Sequence, residues 1–370
     1  MAEALKNQYG PKIPHTIASM ISSVYPEFLA TRFLQTVLNG YEDLELMQRA
    51  RKIATGLREY LPQDYAKATT ILMNSLGERL VKTEGNGMSS FLYLPHCMFV
   101  SEYGVSNFEL SMSLLYELTQ RFTAEFSIRV FLQTYPDKTL DRLRQWASDP
   151  SEHVRRLVSE GTRPRLPWAS RLHEFQKNPQ KPLKLLELLK DDESEYVRRS
   201  VANHLNDIGK DHPDILLSVA RRWLKDAPLK RKKLIRHALR SLIKAGNPEA
   251  LGLLGYAKDS KVRIVNPRVE PGRCFMGEEI GFSFNLMNTS NQPVSILLDY
   301  IVHYQKANQK LSPKVFKLKT LELGPLEKTE VSRVIKLANL TTRKHYSGLH
   351  RIEVLVNGHV HEIGQFELVL

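Results

Sequence analysis

Three carboxylates and one tryptophan stand where folding alone gives them little reason to be. Glu160 comes directly before Gly161 and Asp207 two residues before Gly209, and a glycine just past an apolar-periodic run marks a helix C-terminus. Each anion therefore faces the negative end of its helix dipole, at a cost of roughly 0.3–1 kcal/mol. Glu160 lies six residues after Val154 and Asp207 ten after Val197, the corresponding valines of a repeated segment. The difference is one helical turn, which puts the two acids on corresponding faces of adjacent repeats and lets them converge in one groove. Glu125 falls beside the apolar stripe of Phe122 and Phe126; it either pairs with Arg129 one turn on or joins the other acids. Trp168 ends Arg163-Pro164-Arg165-Leu166-Pro167-Trp168, where two prolines fix the backbone and hold the indole beside Glu160. It is either an apolar plug or an electron-rich face offered to a cation. Carboxylates and an indole on a phosphate-attracting surface suit a target that is itself positively charged.

That surface is legible in the charge. The chain has 370 residues with 53 Lys and Arg against 40 Asp and Glu. The excess is local, because residues 140–244 hold 24 basic and 14 acidic groups while residues 1–139 hold 13 and 14. A basic surface confined to one region favours a polyanion, and nucleic acid before anionic lipid, since no basic helix with a continuous apolar face accompanies it. No apolar run is long enough to cross a bilayer and the opening residues lack a signal-peptide pattern, so a cytoplasmic protein without a membrane partner is expected. Cys97 and Cys274 lie far apart and outside any metal-ligand spacing, which leaves them as core fillers and predicts neither disulfide nor metal. Phosphate loops, dinucleotide fingerprints and nucleophile elbows are absent, and Thr83–Ser90 is a glycine-containing surface loop without the lysine that phosphate cradling needs. His359 and His361 alternate along a strand as surface residues.

The elements that must position the acids are helices first and strands later. Apolar residues recur at three- and four-residue steps in Ile17-Met20-Ile21-Val24, in a run from Leu114 through Phe122 and Phe126 to Val130, and in Leu183-Leu185-Leu186-Leu189. Trp146 and Trp223 fall inside such runs and read as core. Pro26, Pro62, Pro136, Pro150, Pro213 and Pro248 fall at breaks, and Gly40, Gly161, Gly209 and Gly246 follow the runs as caps. Val154-Arg155-Arg156 is echoed 43 residues later by Val197-Arg198-Arg199, and more weakly by Leu234-Ile235-Arg236. A period near 40 with paired helices predicts an α-solenoid of HEAT-like repeats. Arg156, Arg199 and Arg236 then superpose as a ladder, on either the inner groove or a solvated outer face. From Val265 the texture turns to alternating runs such as Ile280–Leu286, Val294–Tyr300, Lys314–Lys319, Arg351–Val356 and Phe366–Val369, which predict an immunoglobulin-like β-sandwich. The expected domains are residues 1–264 and 265–370.

In Ala124–Arg129, in Val154–Gly161 running into Arg163–Trp168, and in Val197–Asp207 before Lys210-Asp211-His212-Pro213, the chain resembles the AlkC branch of the AlkC/AlkD alkylpurine DNA glycosylases, over nearly its whole length. The sandwich resembles the immunoglobulin-like extension of one subset of that branch. The resemblance implies monofunctional hydrolysis of the N-glycosidic bond of cationic N3-alkylated bases, 3-methyladenine and 3-methylcytosine, in double-stranded DNA without base flipping, by a monomer that uses no cofactor. Glu125, Glu160, Asp207 and Trp168 would be catalytic, with Trp168 on the lesion sugar and Asp207 holding or activating water. Arg156, Arg163, Arg165, Arg199, Arg236 and the run Lys230, Arg231, Lys232, Lys233 would grip DNA phosphates. Loop lysines Lys306, Lys310 and Lys314 could let the sandwich assist, or the sandwich could simply cap the repeats. A non-catalytic repeat scaffold for nucleic acid or an acidic protein explains the charge but leaves Glu160, Asp207 and Trp168 without a role.

Overall fold

The computed structural model describes residues 5–80, 89–256, 261–339 and 344–370. The loop expected over 83–90 lies outside them except for Ser89 and Ser90, which open a short 3-10 turn, Ser89–Tyr93. Among the described residues, helices come first and strands afterwards, in two compact units, Met1–Asp211 and His212–Leu370.

The first unit holds α1 (Lys12–Ser22), α2 (Ala30–Leu38), α3 (Leu46–Tyr60), α4 (Tyr65–Ser75), α5 (Leu94–Tyr103), α6 (Phe108–Thr119), α7 (Ile128–Thr134), α8 (Pro136–Trp146), α9 (Glu152–Gly161), α10 (His173–Lys177), α11 (Gln180–Leu189) and α12 (Glu195–Asp211). Packing is between near neighbours, with α9 against α8, α11 and α12, as expected of stacked helical repeats. Val154, Leu157 and Val158 of α9 and Val197, Val201, Leu205 and Ile208 of α12 are buried, the helical stripes that the sequence shows.

The 43-residue echo has a physical basis in the first arginine of each copy. Arg155 Nη1 donates to the carbonyls of Asp149 and Pro150 at 2.8 and 3.0 Å, and Arg198 Nη1 bonds the equivalent carbonyls of Asp192 and Glu193. The aspartates repeat as well: Asp149 accepts from the Ser151 N–H and Asp192 from the Ser194 N–H, both at 2.8 Å. Arg155 also grips Asp192 through Nε at 2.7 Å and Nη2 at 3.0 Å, which pins one repeat to the next. Glu152 and Glu195 in the first turns suit the helix dipoles.

Two local expectations are corrected. The run from Leu114 to Val130 is not one helix: α6 ends at Thr119 and α7 begins at Ile128, so Glu125 sits in a turn. Tertiary bonds replace the helical ladder there, with the Gln120 carbonyl accepting from the Leu80 N–H at 2.9 Å and Ser127 Oγ donating to the Cys97 carbonyl at 2.7 Å. Gly161 and Gly209 are helical residues rather than caps. Gly161 is required for closeness, since a Cβ there would stand 2.6 Å from Ile128 Cγ2. Gly40 and Gly246, at φ +64° and +70°, are left-handed as expected.

The second unit begins with α13 (Pro213–Leu224), α14 (Leu229–Ala238), α15 (Arg240–Lys244) and α16 (Pro248–Leu253). Among the described residues eight strands follow: β1 (Val262–Glu270), β2 (Arg273–Phe275), β3 (Glu279–Asn288), β4 (Val294–Gln305), β5 (Leu311–Leu323), β6 (Lys328–Lys336), β7 (Gly348–Val356) and β8 (His359–Val369). They form a three-stranded sheet ordered β1-β3-β6 and a five-stranded sheet ordered β2-β8-β7-β4-β5. Ile280, Phe282, Phe284 and Leu286 alternate inward from β3 to meet Leu298, Tyr300, Val302, Ile352, Val354 and Phe366, the period of two that a sandwich face needs. A bulge at Leu298/Asp299 interrupts the β4–β5 register. Helix changes to strand at Val262, yet the division into compact units falls earlier. The reason is a small core of Leu251, Tyr256 and Leu297 that joins α16 to β4.

Trp146 and Trp223 are buried, as are the free thiols Cys97 and Cys274. Among the described residues no helix is long and apolar enough to cross a membrane, and no cluster of His, Cys, Asp or Glu suits a metal.

Candidate active site

Glu125, Glu160 and Trp168 line one cleft of about 1060 Å³ in the first unit, together with Arg156, Arg163, His153 and Tyr196. The lining also includes the apolar residues Leu80, Phe91, Leu94, Phe122 and Phe126. The α6–α7 turn brings Glu125, the last turn of α9 brings Glu160, and the segment after α9 brings Trp168.

The acids are held by arginines, and one guanidinium serves two of them. Arg163 donates through Nη1 to Glu160 at 2.6 Å and through Nε to Asp207 at 2.8 Å. Glu160 and Asp207 thus meet at one guanidinium, that of Arg163, although not in one groove. Glu160 also accepts from Ser200 Oγ at 2.6 Å. Burial alone would raise the Glu160 carboxyl, but Arg156 and Arg163 outweigh it and hold the group below the usual carboxylate range. Glu125 pairs with Arg156 Nη1 and accepts from Thr123 Oγ1 at 2.9 Å. Arg156 in turn lies over the Tyr196 ring, 5.2 Å from its centroid.

Asp207 stands one layer deeper than expected. It is 1% exposed, is absent from the cleft wall, and takes Lys210 Nζ at 3.0 Å besides Arg163. Only Glu125 and Glu160 present carboxylates to the cleft among the three.

Trp168 is 91% exposed, so the plug reading fails. Its φ of +63° is left-handed, a conformation that a bulky residue keeps only where its surroundings over-determine the backbone. The determinant is Arg129, fully buried, which donates to the carbonyls of Gly161 at 3.1 Å, Arg163 at 2.8 Å and Ser170 at 3.1 Å. It fastens both ends of the segment that carries the indole. Arg165 fixes the middle through Asp211, with Nε at 2.8 Å.

Three arginines expected on phosphates are therefore placed otherwise. Arg156 is committed to Glu125 and Glu160, Arg163 to Glu160 and Asp207, and Arg165 to Asp211. Carboxylates within reach capture guanidinium forks in fixed geometry. Arg199, Lys230, Lys232, Lys233 and Arg236 are exposed and Arg231 partly so. Arg156 and Arg199 occupy matching repeat positions but unlike settings, since only Arg156 lies between acids and an aromatic ring.

Sequence reasoning missed Arg129, read only as a partner for Glu125; a cation between the apolar residues Ile128 and Phe131 was the available signal. It also missed His204, whose Nδ1 meets the Ser159 carbonyl at 3.0 Å and links α12 to α9 between the turns of Asp207 and Glu160. Burial pushes His204 down to about 4, so the ring is neutral, with the proton on Nδ1 facing the carbonyl. Nε2 has no hydrogen-bond partner among the described residues.

Residues 263–370 match the family described as uncharacterised protein YhaZ, C-terminal Ig-like domain. Over 365 residues the chain is 36% identical to the uncharacterised protein YhaZ of Bacillus subtilis (strain 168), covering 98% of this chain and 99% of that one. Its fold matches the alkylpurine DNA glycosylase AlkC of Pseudomonas fluorescens, solved bound to DNA containing an abasic-site analogue, with a TM-score of 0.92, 40% identity and full coverage of both chains. A buried arginine-bridged acid pair, an exposed indole and a C-terminal Ig-like sandwich thus stand on a fold shared from end to end, and the chain belongs to the AlkC family in its form with a C-terminal Ig-like domain.

Proposed function

We propose that the protein is a monofunctional DNA glycosylase that hydrolyses the N-glycosidic bond of cationic N3-alkylated bases, 3-methyladenine and 3-methylcytosine, in duplex DNA without extruding the nucleotide. The observation that carries this reading is the pairing of an exposed, conformationally fixed Trp168 with Glu125 and Glu160 on one cleft. A base alkylated at N3 already bears the positive charge that makes it a good leaving group. The C1′–N bond breaks, the base departs neutral, and the positive charge passes to an oxocarbenium-like sugar. Carboxylates preorganised beside that sugar lower the barrier because they meet charge that develops only in the transition state. Water then adds to C1′ and its proton passes to a carboxylate. Asp207, buried behind Arg163, acts on that water through the guanidinium it shares with Glu160, and Trp168 contacts the deoxyribose.

The domains are read as a catalytic helical part, residues 1–264, and an Ig-like part, residues 265–370, that assists DNA binding through Lys306, Lys310 and Lys314. Arg199, Arg236 and Lys230 to Lys233 supply sequence-independent phosphate contacts. The enzyme acts as a cytoplasmic monomer. Purified protein incubated with methylated duplex DNA should release free 3-methyladenine and 3-methylcytosine, and borohydride should trap no covalent complex with abasic DNA. Binding without release of any base would leave the scaffold reading in its place.

A further inference from the structure

A second cleft, about 350 Å³, lies within the second unit and is lined by Lys233 and Arg236 of α14, Arg240 and Lys244 of α15, and Lys317 of β5. Ile243, Leu254, Tyr256 and Leu297 add apolar surface to the lining, together with His237. Among the described residues Asp299, at the β4 bulge, is the one carboxylate of the lining, and Lys233, Arg236, Lys244 and Lys317 are four cations that line the cleft with it, besides Arg240, whose Nη1 donates to the His237 carbonyl at 2.7 Å. Asp299 is 6% exposed and interacts with Lys244, Lys317 and Arg236, and its carboxylate accepts the Leu318 N–H. Arg236 is already aimed: its Nη2 donates to Thr320 Oγ1 at 3.2 Å, and its guanidinium lies 6.0 Å from the Tyr256 ring centroid. One buried anion cannot offset the four cations Lys233, Arg236, Lys244 and Lys317 around so small a volume, and such crowding raises the local potential and concentrates anions.

We propose that this cleft is a phosphate-binding site. Guanidinium and ammonium groups gathered beside apolar lining residues match a compact, multiply charged oxyanion, and Asp299 tunes the affinity by cancelling part of the field. The phosphate is either one of the DNA backbone, in which case the site rests on the DNA-binding reading above, or a free inorganic one. Lys244, Lys317 and Asp299 thereby act with opposite signs, which separates ligand binding from a structural role.

The test measures pyrophosphate binding by calorimetry and binding of a short undamaged duplex by anisotropy, at fixed ionic strength, in the full chain. Lys244→Ala with Lys317→Ala should weaken pyrophosphate by about tenfold or more. Asp299→Asn should tighten it several-fold, with Lys244→Gln as a milder variant should the alanine pair misfold. If duplex affinity also falls, and a salt series shows the slope reduced by about one unit for each phosphate no longer neutralised, backbone phosphate is the ligand. If duplex binding is unchanged while pyrophosphate binding falls, the ligand is free phosphate. Wild-type protein that binds no pyrophosphate and a lysine pair whose removal leaves duplex affinity unchanged would together overturn the proposal. Base release is measured separately, so a protein that excises nothing yet binds pyrophosphate here retains this site and loses the glycosylase reading.

Discussion

Replacing Arg163 with methionine keeps most of the side-chain volume and removes the charge that holds Glu160 and Asp207 together. Both acids are buried and both bonds are short, 2.6 and 2.8 Å. Among the described residues the variant leaves Asp207 paired with Lys210, and Glu160 with Ser200 and with Arg156 at 3.6 Å. Removing one partner of a buried ion pair costs about 3–5 kcal/mol. At about 2–4 °C per kcal/mol for a unit near 200 residues, Tm should fall by roughly 6–20 °C at pH 7.5. The pH dependence identifies the cause. Glu160 is depressed in the folded protein, so it contributes stability that is present above its unfolded pKa, about 4.3, and lost as pH falls through the folded value. Without Arg163 the opposition to burial weakens and the carboxyl moves up. The gap between wild type and Arg163→Met should therefore begin to narrow above the unfolded value of about 4.3, as the raised carboxyl of the variant takes up its proton, and should already be smaller at pH 4 than at pH 7.5. Adding Glu160→Gln or Asp207→Asn to Arg163→Met should recover part of the loss, because neutral amides no longer carry an unpaired charge. An equal loss at pH 7.5 and pH 4, with no recovery in the double variants, would refute the reasoning and leave side-chain packing as the role of Arg163.

The remaining predictions concern the reaction and its grip on DNA. Glu125→Gln and Asp207→Asn should each lower base release by well over tenfold under single-turnover conditions while duplex affinity stays within about threefold; normal release by both would remove these acids from the chemistry. Trp168→Ala should reduce excision more than affinity for undamaged DNA and leave Tm within about 1 °C, since a surface residue away from the core contributes little stability; a collapse in Tm would contradict its exposure. Arg199→Ala, and neutralisation of Lys230, Lys232 and Lys233, should weaken all duplexes alike and flatten the salt dependence, whereas an unchanged slope would place these groups away from DNA. His204→Asn keeps a donor for the Ser159 carbonyl and should retain much more excision than His204→Leu, with similar duplex affinity for both; equal activity of the two would show that the α9–α12 link does not position the acids.

What is legible in the sequence follows from what is periodic in it. The helical stripes, the 43-residue echo and the apolar-rich strand runs are local patterns, and β3, β4, β5, β7 and β8 contain the runs read as strands, although β4 is buried without alternation from Ile296 to Val302. β1 and β6 escape that pattern, because their exposed residues come in stretches that break the alternation. Contacts distant in sequence leave weaker traces. The turn at Glu125 depends on Leu80 and Cys97, so the apolar spacing on either side reads straight through it. The domain boundary shows the same limit: composition changes at Val265, but the Leu251–Tyr256–Leu297 core ties the preceding helices to β4, and a cut at residue 264 would expose apolar surface on both fragments.

The arginines carry the sharper lesson. The echo of Val-Arg-Arg draws attention to the second arginine of each copy as a phosphate ladder, yet the first, Arg155 and Arg198, does the repeated work on backbone carbonyls. Repetition in a stacked fold records what every repeat needs, which is attachment to its neighbour. A site needs what only one repeat has. Arg156 has Glu125 and Tyr196 within reach and Arg199 has neither, and Glu160 and Asp207 have no carboxylate at their counterparts in the other copy, Asn203 and Pro164. Where matching positions diverge, the fold has no use for the difference. In this chain those divergences, Glu160, Asp207 and the Trp168 segment between them, all gather about Arg163 and the cleft it borders.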